Sequence, residues 1–356
     1  MKTLQLMVDP TNLKCPEAQE TLEQAAQILR VGGLVAFPTE TVYGLGANAL
    51  DAEAVARIFE AKRRPSWDPI IVHIADEAML DGIVREVPDA ARKLIKAFWP
   101  GPLTLLLPRI DVVPDVVTAG RPLVGIRMPS HPVALEFIRR AGVPVAAPSA
   151  NLFSYVSPTT AAHVLADLDG RIDAVLDGGA TEHGVESTVM DPCQSPMAIY
   201  RSGAVTSAQI SLVAGAVEIF RGGAGTAVKP GAVLPAPGMA LRHYAPSARL
   251  MLIDAELADV GARFAQALRD LPGERVGVML PAEVVAPVGA VAVHPWGRWE
   301  APEEMAHELY SGLRALDAIG CTVILCPVPP VEGIGLAIRD RLAKAAYKAE
   351  KQESKE

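Results

Sequence analysis

Residues 33–50, GLVAFPTETVYGLGANAL, constrain the fold more than any other stretch: a short apolar run stops at Pro38 and gives way to two threonines, a carboxylate and two glycines. Leu34 to Phe37 reads as a strand buried on both faces of a sheet. A strand end this polar faces a ligand. Gly44 and Gly46 permit a backbone turn or a close ligand approach that bulkier residues forbid. The spacing is neither GxGxxG nor a Walker loop, so the glycines alone describe an ordinary connection from strand to helix.

The same design recurs along the chain. Lys62-Arg63-Arg64-Pro65 closes a helical pattern, and Asp68-Pro69-Ile70-Ile71-Val72-His73 follows as a strand that delivers a histidine. Cations in a helix's last turn suit its macrodipole and can simply be solvated, but a lysine and arginine fork beside a glycine loop is also what phosphate or carboxylate recognition requires. His73, among apolar neighbours in a strand, is either a satisfied core residue or a ligand at the strand's end. Arg127 interrupts the apolar run VGIRMP, and a buried guanidinium needs an anionic partner, from the protein or from a ligand. VAAPSAN runs a further strand into small polar residues, and Ser157-Pro158 reads as an N-cap with proline at the first helical position. GVESTVMD and IYRSG repeat the theme near residues 184–203.

Helical periodicity over residues 17–31 puts Leu22, Ala25, Ala26 and Leu29 on one face, and residues 51–64 repeat it with Val55, Ile58 and Phe59. Apolar segments at 103–107, 123–126, 143–147 and 174–176 read as interleaved strands, which makes the chain α/β. Residues 221–238, RGGAGTAVKPGAVLPAPG, have linker composition. Beyond them, strands at 250–253, 276–280, near 291 and at 323–325 alternate with helices, including one at 303–319 with Met305, Leu309, Leu313 and Leu316 as its core stripe. That is a small Rossmann-like module without a dinucleotide fingerprint.

With 356 residues, half of them hydrophobic, there is chain enough for two domain cores. The formal net charge of −8 argues against a general nucleic-acid footprint and requires the basic clusters to act locally. Cys15, Cys193, Cys321 and Cys326 show no metal spacing and are expected to be reduced; no metal-ligating set is expected. No apolar run reaches a membrane span and MKTLQLMVDP lacks a signal-peptide core, so a cytoplasmic location is expected.

Taken in order, PTETVYGLG, KRRP with PIIVHI, WPGPLTLLLP, VGIRMP, PSAN with SPTTAAHV, and GVESTVMD with IYRSG resemble the YrdC-like threonylcarbamoyl-AMP synthase family across residues 20–210. PAPGMALRHYAP resembles the segment that, in the long form of that family, joins the catalytic domain to an extra C-terminal one. The resemblance implies a YrdC-like twisted, mixed, open sheet with flanking helices over residues 1–215, a linker reaching the active site over 216–246, a smaller Rossmann-like domain over 247–345, and a charged tail over 346–356. It implies condensation of L-threonine, bicarbonate or CO2 and ATP, with Mg2+, to threonylcarbamoyl-AMP and pyrophosphate. The product would pass to the transferase machinery that makes t6A in tRNA, with a weak tRNA contact expected and no membrane partner.

Carried over by motif position, Thr39, His73, Arg127, Ala147 and Ser187 would hold threonine or its carbamate, Arg127 taking the carboxylate and Ala147 contributing backbone. Lys62, Arg64, Asp68, Leu123, Ser149, Asn151, Ser157, Arg201 and Tyr244 would surround ATP, with Lys62 and Arg64 on the phosphates; Lys62, Arg64 and Arg127 would be catalytic. Three positions depart from the family pattern: Arg63 replaces a usual glycine, Asp68 a common asparagine, and Leu123 a frequent small hydroxyl residue. Hydrogenase-maturation carbamoyltransferases share the catalytic domain but add an acylphosphatase domain and paired CxxC motifs, which this sequence lacks. A non-enzymatic module for double-stranded RNA is the other alternative, which the net charge and the retained polar strand ends disfavour.

Overall fold

A computed structural model describes residues 2–220, 234, 236–239 and 242–347. Most of the expected linker and residues 348–356 of the expected tail lie outside the described residues. The chain divides into two compact units, residues 1–153 with 157–239 and residues 154–156 with 240–356.

Among its described residues the first unit carries an eleven-stranded mixed sheet. Its strands are β1 (Leu4–Met7), β2 (Val35–Phe37), β3 (Gly44–Asn48), β4 (Ile71–His73), β5 (Leu103–Pro108), β6 (Leu123–Arg127), β7 (Val145–Ala146), β8 (Ala174–Asp177), β9 (Thr188–Asp191), β10 (Met197–Arg201) and β11 (Val217–Ile219). Their spatial order is β1-β8-β2-β3-β7-β4-β6-β5-β9-β10-β11.

Alternation explains why β2 sits deep in this sheet. Val35 and Phe37 point into one core with Leu22, Ala25, Ala26 and Leu29 of the helix Pro16–Arg30, while Leu34 and Ala36 point into the opposite core with Val55, Ile58 and Phe59 of the helix Ala52–Lys62. Each of the valine, leucine, isoleucine and phenylalanine side chains among these, fully buried, is worth about 1.5–3 kcal/mol, so the helices on either face hold the strand between them. Gly44 and Gly46 make no turn, contrary to one reading of the sequence. Both lie within β3, and a Cβ on Gly46 would come within 2.9 Å of Val145 Cγ1 and 3.0 Å of Phe37 Cε1. The glycines let neighbouring strands and Phe37 close up.

Register then fixes the site. β4 runs parallel to β6, pairing His73 with Arg127, and antiparallel to β7, pairing His73 with Val145. β5 runs antiparallel to β6 and parallel to β9, so the ends of several strands converge beside the segment that follows β2.

Among its described residues the second unit has four parallel strands, β12 (Arg249–Ile253), β13 (Val276–Leu280), β14 (Ala292–Pro295) and β15 (Val323–Pro327), in the order β12-β15-β13-β14. Val260, Phe264, Val276, Val278, Val323 and Leu325 form its core, and Met305, Leu309, Leu313 and Leu316 bury one face of the helix Pro302–Ala318. Residues 154–156 pack within this unit: the Tyr155 hydroxyl donates to Asp317 Oδ2 at 2.5 Å, and the Ala245 amide donates to the Ser154 carbonyl at 2.9 Å. Among the described residues, no helix is long and apolar enough to cross a membrane.

Candidate active site

The segment after β2 folds on its own hydroxyls. Thr39 Oγ1 donates to the Val42 carbonyl at 2.6 Å and lies 2.9 Å from Thr41 Oγ1. Thr41 Oγ1 in turn accepts from Arg127 Nη1 at 2.9 Å, so this segment is tied to the end of β6. Arg127 is 4% exposed and its Nη2 lies 2.6 Å from Glu40 Oε2. The anionic partner that the sequence requires for Arg127 is therefore a protein carboxylate in the structure. His73 lies in the same neighbourhood, its ring edge-on to Phe37 with centroids 6.0 Å apart. Burial, reinforced by the Arg127 charge, pushes its pKa down to about 3, so His73 is neutral across the ordinary pH range.

A second group gathers around the end of the helix Ala52–Lys62. Lys62 is not a solvated cap, the bland account of its position. It is 1% exposed, and its Nζ donates to the carbonyls of Ser149 and Asn151, each at 2.5 Å. Arg64 folds back through Nε to the Asp68 carbonyl and through Nη2 to the Pro69 carbonyl, and its Nη2 lies 2.9 Å from Asp68 Oδ2. Between them Arg63 adopts a left-handed φ of 54°, the conformation in which glycine costs least. That is the physical reason a glycine suits this position. Asp68 is fully buried, and burial pushes its pKa up against the opposing pull of Arg64, Lys62 and Arg201. Arg201, at the end of β10, donates through Nε and Nη2 to the Ser187 carbonyl and through Nη2 to Ser187 Oγ, while Ser187 Oγ lies 2.8 Å from Thr104 Oγ1.

The expected residues thus fall into two linked groups. Thr39, His73 and Arg127 meet at the strand ends; Ala147 lies two residues beyond Val145, its amide bonded to the Ile71 carbonyl at 2.8 Å. Lys62, Ser149 and Asn151 form one hydrogen-bonded set, and Arg64, Asp68, Arg201 and Ser187 are joined by charge and hydrogen bonds. Ser157 is not a helix cap: the following helix is Ala161–Leu168, capped by Thr160, whose hydroxyl accepts from the His163 amide. Ser157 Oγ instead donates to Glu186 Oε1 at 2.6 Å, next in sequence to Ser187. Leu123 stands at the start of β6, four residues from Arg127, and packs on Ile71, Leu106, Val189 and Ala236. Tyr244 belongs to the second unit, where it stacks on Tyr310 with ring centroids 5.7 Å apart beneath the Arg341 guanidinium.

Sequence reasoning passed over Glu40, Thr41, Thr104 and Glu186. A carboxylate between two threonines at a strand end was the visible signal for Glu40, but its partner lies 87 positions further on and only β6 brings it close.

Fold and site define the class: an α/β protein that gathers buried cations at strand ends to handle anionic substrates. The chain matches the family model described as "Telomere recombination" over residues 27–203 and that described as "Threonylcarbamoyl-AMP synthase, C-terminal domain" over residues 205–347. It is 44% identical over 348 residues to the threonylcarbamoyl-AMP synthase of Bacillus subtilis, covering 97% of this chain and 98% of that one. The corresponding protein of Pyrococcus abyssi is 43% identical over 328 residues, 90% of this chain and 93% of its own. The solved structure of P. abyssi Sua5 complexed with L-threonine matches with a TM-score of 0.87 at 40% identity, covering 97% of this chain and 98% of that one. The chain belongs to the threonylcarbamoyl-AMP synthase family.

Proposed function

We propose that the chain condenses L-threonine, bicarbonate or CO2 and ATP to threonylcarbamoyl-AMP and pyrophosphate, supplying the transferase that makes t6A in tRNA. Family membership supports this reading, and one observation carries it at the site. Four cations, Lys62, Arg64, Arg127 and Arg201, are buried together, yet much of their hydrogen bonding goes to carbonyl groups. A carbonyl satisfies a donor without cancelling its charge. Asp68 and Glu40 face Arg64 and Arg127, and Lys62 and Arg201 also act on Asp68, so two buried carboxylates stand among four buried cations.

Every reactant in this condensation offers such charge: the amino-acid carboxylate, bicarbonate or the carbamate, and the triphosphate. Arg127, with Thr39 and the neutral His73 alongside, would take threonine and its carbamate. Ser187 and the Ala147 backbone would complete that half. Lys62, Arg64 and Arg201 would hold the phosphates, with Ser149, Asn151 and Ser157 shaping the pocket around the nucleotide. Catalysis then consists in aligning the carbamate oxygen with the α-phosphorus and stabilising the charge that develops there. Mg2+ would arrive on the triphosphate with phosphate and water ligands. Bound there, the ion would neutralise phosphate charge.

Pyrophosphate release from Mg-ATP tests the reading, run with and without L-threonine and bicarbonate and with serine and valine as controls. Release that requires both threonine and bicarbonate is expected. A folded protein that releases none under any amino acid, but binds RNA with a steep salt dependence, would overturn it in favour of the RNA-binding alternative.

A further inference from the structure

Glu40 has no task in the condensation so far, although it faces Arg127 at the site. Glu40 is 2% exposed, in the segment whose neighbours Thr39 and Thr41 already belong to the site, and its Oε2 lies 2.6 Å from Arg127 Nη2. Its place is fixed from behind, because its own carbonyl accepts from the His183 amide at 2.8 Å. Neither carboxylate oxygen has an aligned hydrogen-bond donor among the described residues, so Arg127 reaches it as an ion pair rather than through a directed bond. A buried ion pair of this kind is weak evidence for a stabilising role, since desolvation of both charges offsets their attraction.

We propose that Glu40 receives the α-ammonium of the amino acid whose carboxylate Arg127 takes. The inference rests on the proposed function and deepens it. An α-amino acid carries its two opposite charges on adjacent carbons, and the Arg127 and Glu40 side chains present two opposite charges in direct contact. Without ligand they satisfy each other; with ligand, the zwitterion enters between them and each finds its complement. Burying a zwitterion demands both complements. Of the other charged groups, His131 feels both Glu40 and Glu182, but Glu182 is exposed and Glu40 is buried. His73 is neutral and cannot serve the ammonium as a counter-charge, and Lys62, Arg64 and Arg201 would repel it. Asp68 is engaged with Arg64, and Glu186 accepts from Ser157. Glu40 is therefore the carboxylate at the Arg127 end of the site, and it makes the site selective for an amino acid over a plain hydroxy acid.

The experiment compares L-threonine with 3-hydroxybutyrate, which keeps the carboxylate, hydroxyl and methyl but lacks the amine. Both are titrated calorimetrically at neutral pH into the full chain and its Glu40→Gln variant, with thermal melts to check folding. Wild type should bind L-threonine at least about tenfold more tightly than 3-hydroxybutyrate. Glu40→Gln should weaken L-threonine by about 10- to 100-fold, the range of a lost charge-assisted contact, while 3-hydroxybutyrate binds as well as before or better because Arg127 no longer has to leave a carboxylate. Equal losses for both ligands would make Glu40 a support for Arg127 alone. Gains for both would make it a counter-ion that competes with ligand; either result overturns the proposal. If Glu40→Gln does not fold, the wild-type pair still decides, since equal affinities for the two ligands would refute it. Threonine affinity that is intact but independent of Glu40 sinks only this inference; no threonine affinity in wild type sinks the proposed function with it.

Discussion

Asp68→Asn should tighten binding of the triphosphate, because the wild-type carboxylate is a buried negative charge set among the cations assigned to the phosphates. Asp68 is fully buried, 2.9 Å from Arg64, and lies within the field of Lys62 and Arg201. For a phosphate oxygen about 7 Å from that carboxylate, at an effective dielectric of about 20, each unit of phosphate charge is opposed by roughly 2.4 kcal/mol. Magnesium on the triphosphate and the retained dipole of asparagine reduce the net gain to about 1–2 kcal/mol, a Kd roughly 5- to 30-fold lower. Calorimetric titration with a non-hydrolysable ATP analogue measures it. The same titration in buffers of different ionisation heat should show proton uptake by the wild type as pH falls towards the raised Asp68 pKa, since burial already raises it and phosphate charge raises it further; the variant should show none from this group. The stability linkage has the same sign: with its folded pKa raised, ionised Asp68 penalises the fold as pH rises through that pKa, and the penalty vanishes below the unfolded value. Weaker nucleotide binding by Asp68→Asn would refute the reasoning, because Asp68 would then be a ligand of the metal or the ribose.

Three further changes test the site. Arg127→Ala should cost about 3–5 kcal/mol of stability by stranding the Glu40 carboxylate, and adding Glu40→Gln should recover at least about 1 kcal/mol in chemical denaturation; strictly additive losses would mean the pair is not coupled. Arg63→Gly should stabilise by about 0.5–1 kcal/mol, because left-handed strain of about 1–2 kcal/mol is relieved against glycine's larger unfolded-state entropy; a lower melting temperature would show the strain to be absent. His73 should show no titration of its ring signals between pH 5 and 8. Because its folded pKa lies below the unfolded value of about 6.5, it should withdraw stability as pH falls from 6.5 towards 3, by an amount on the order of 4–5 kcal/mol that a His73→Asn variant does not lose.

How far the site was legible follows from what holds each residue. Strands announced by apolar runs, such as 103–107 and 276–280, and helices announced by a 3.6-residue stripe, such as the Leu22-Ala25-Ala26-Leu29 face, are local, and the structure has them within a few residues of the expected bounds. Lys62 shows where local reading stops. Its position at a helix end is fully explained by the macrodipole, yet it is buried because the chain at Ser149 and Asn151, almost ninety residues later, turns two carbonyls towards it. Ser157 fails for the opposite reason: the Ser-Pro pair is a sound local cap, but Thr160 offers the same chemistry one turn later, and a buried Glu186 competes for the serine hydroxyl. Glu40 was visible only as a charge, since neither composition nor spacing says which cation a carboxylate will meet; the β4 and β6 pairing that sets Arg127 beside the segment after β2 decides it. Residue types at strand ends therefore indicate that a site exists, whereas the identity of each counter-charge is a property of the sheet. In this chain the counter-charge at Arg127 is also the feature that separates binding an amino acid from binding any small carboxylate.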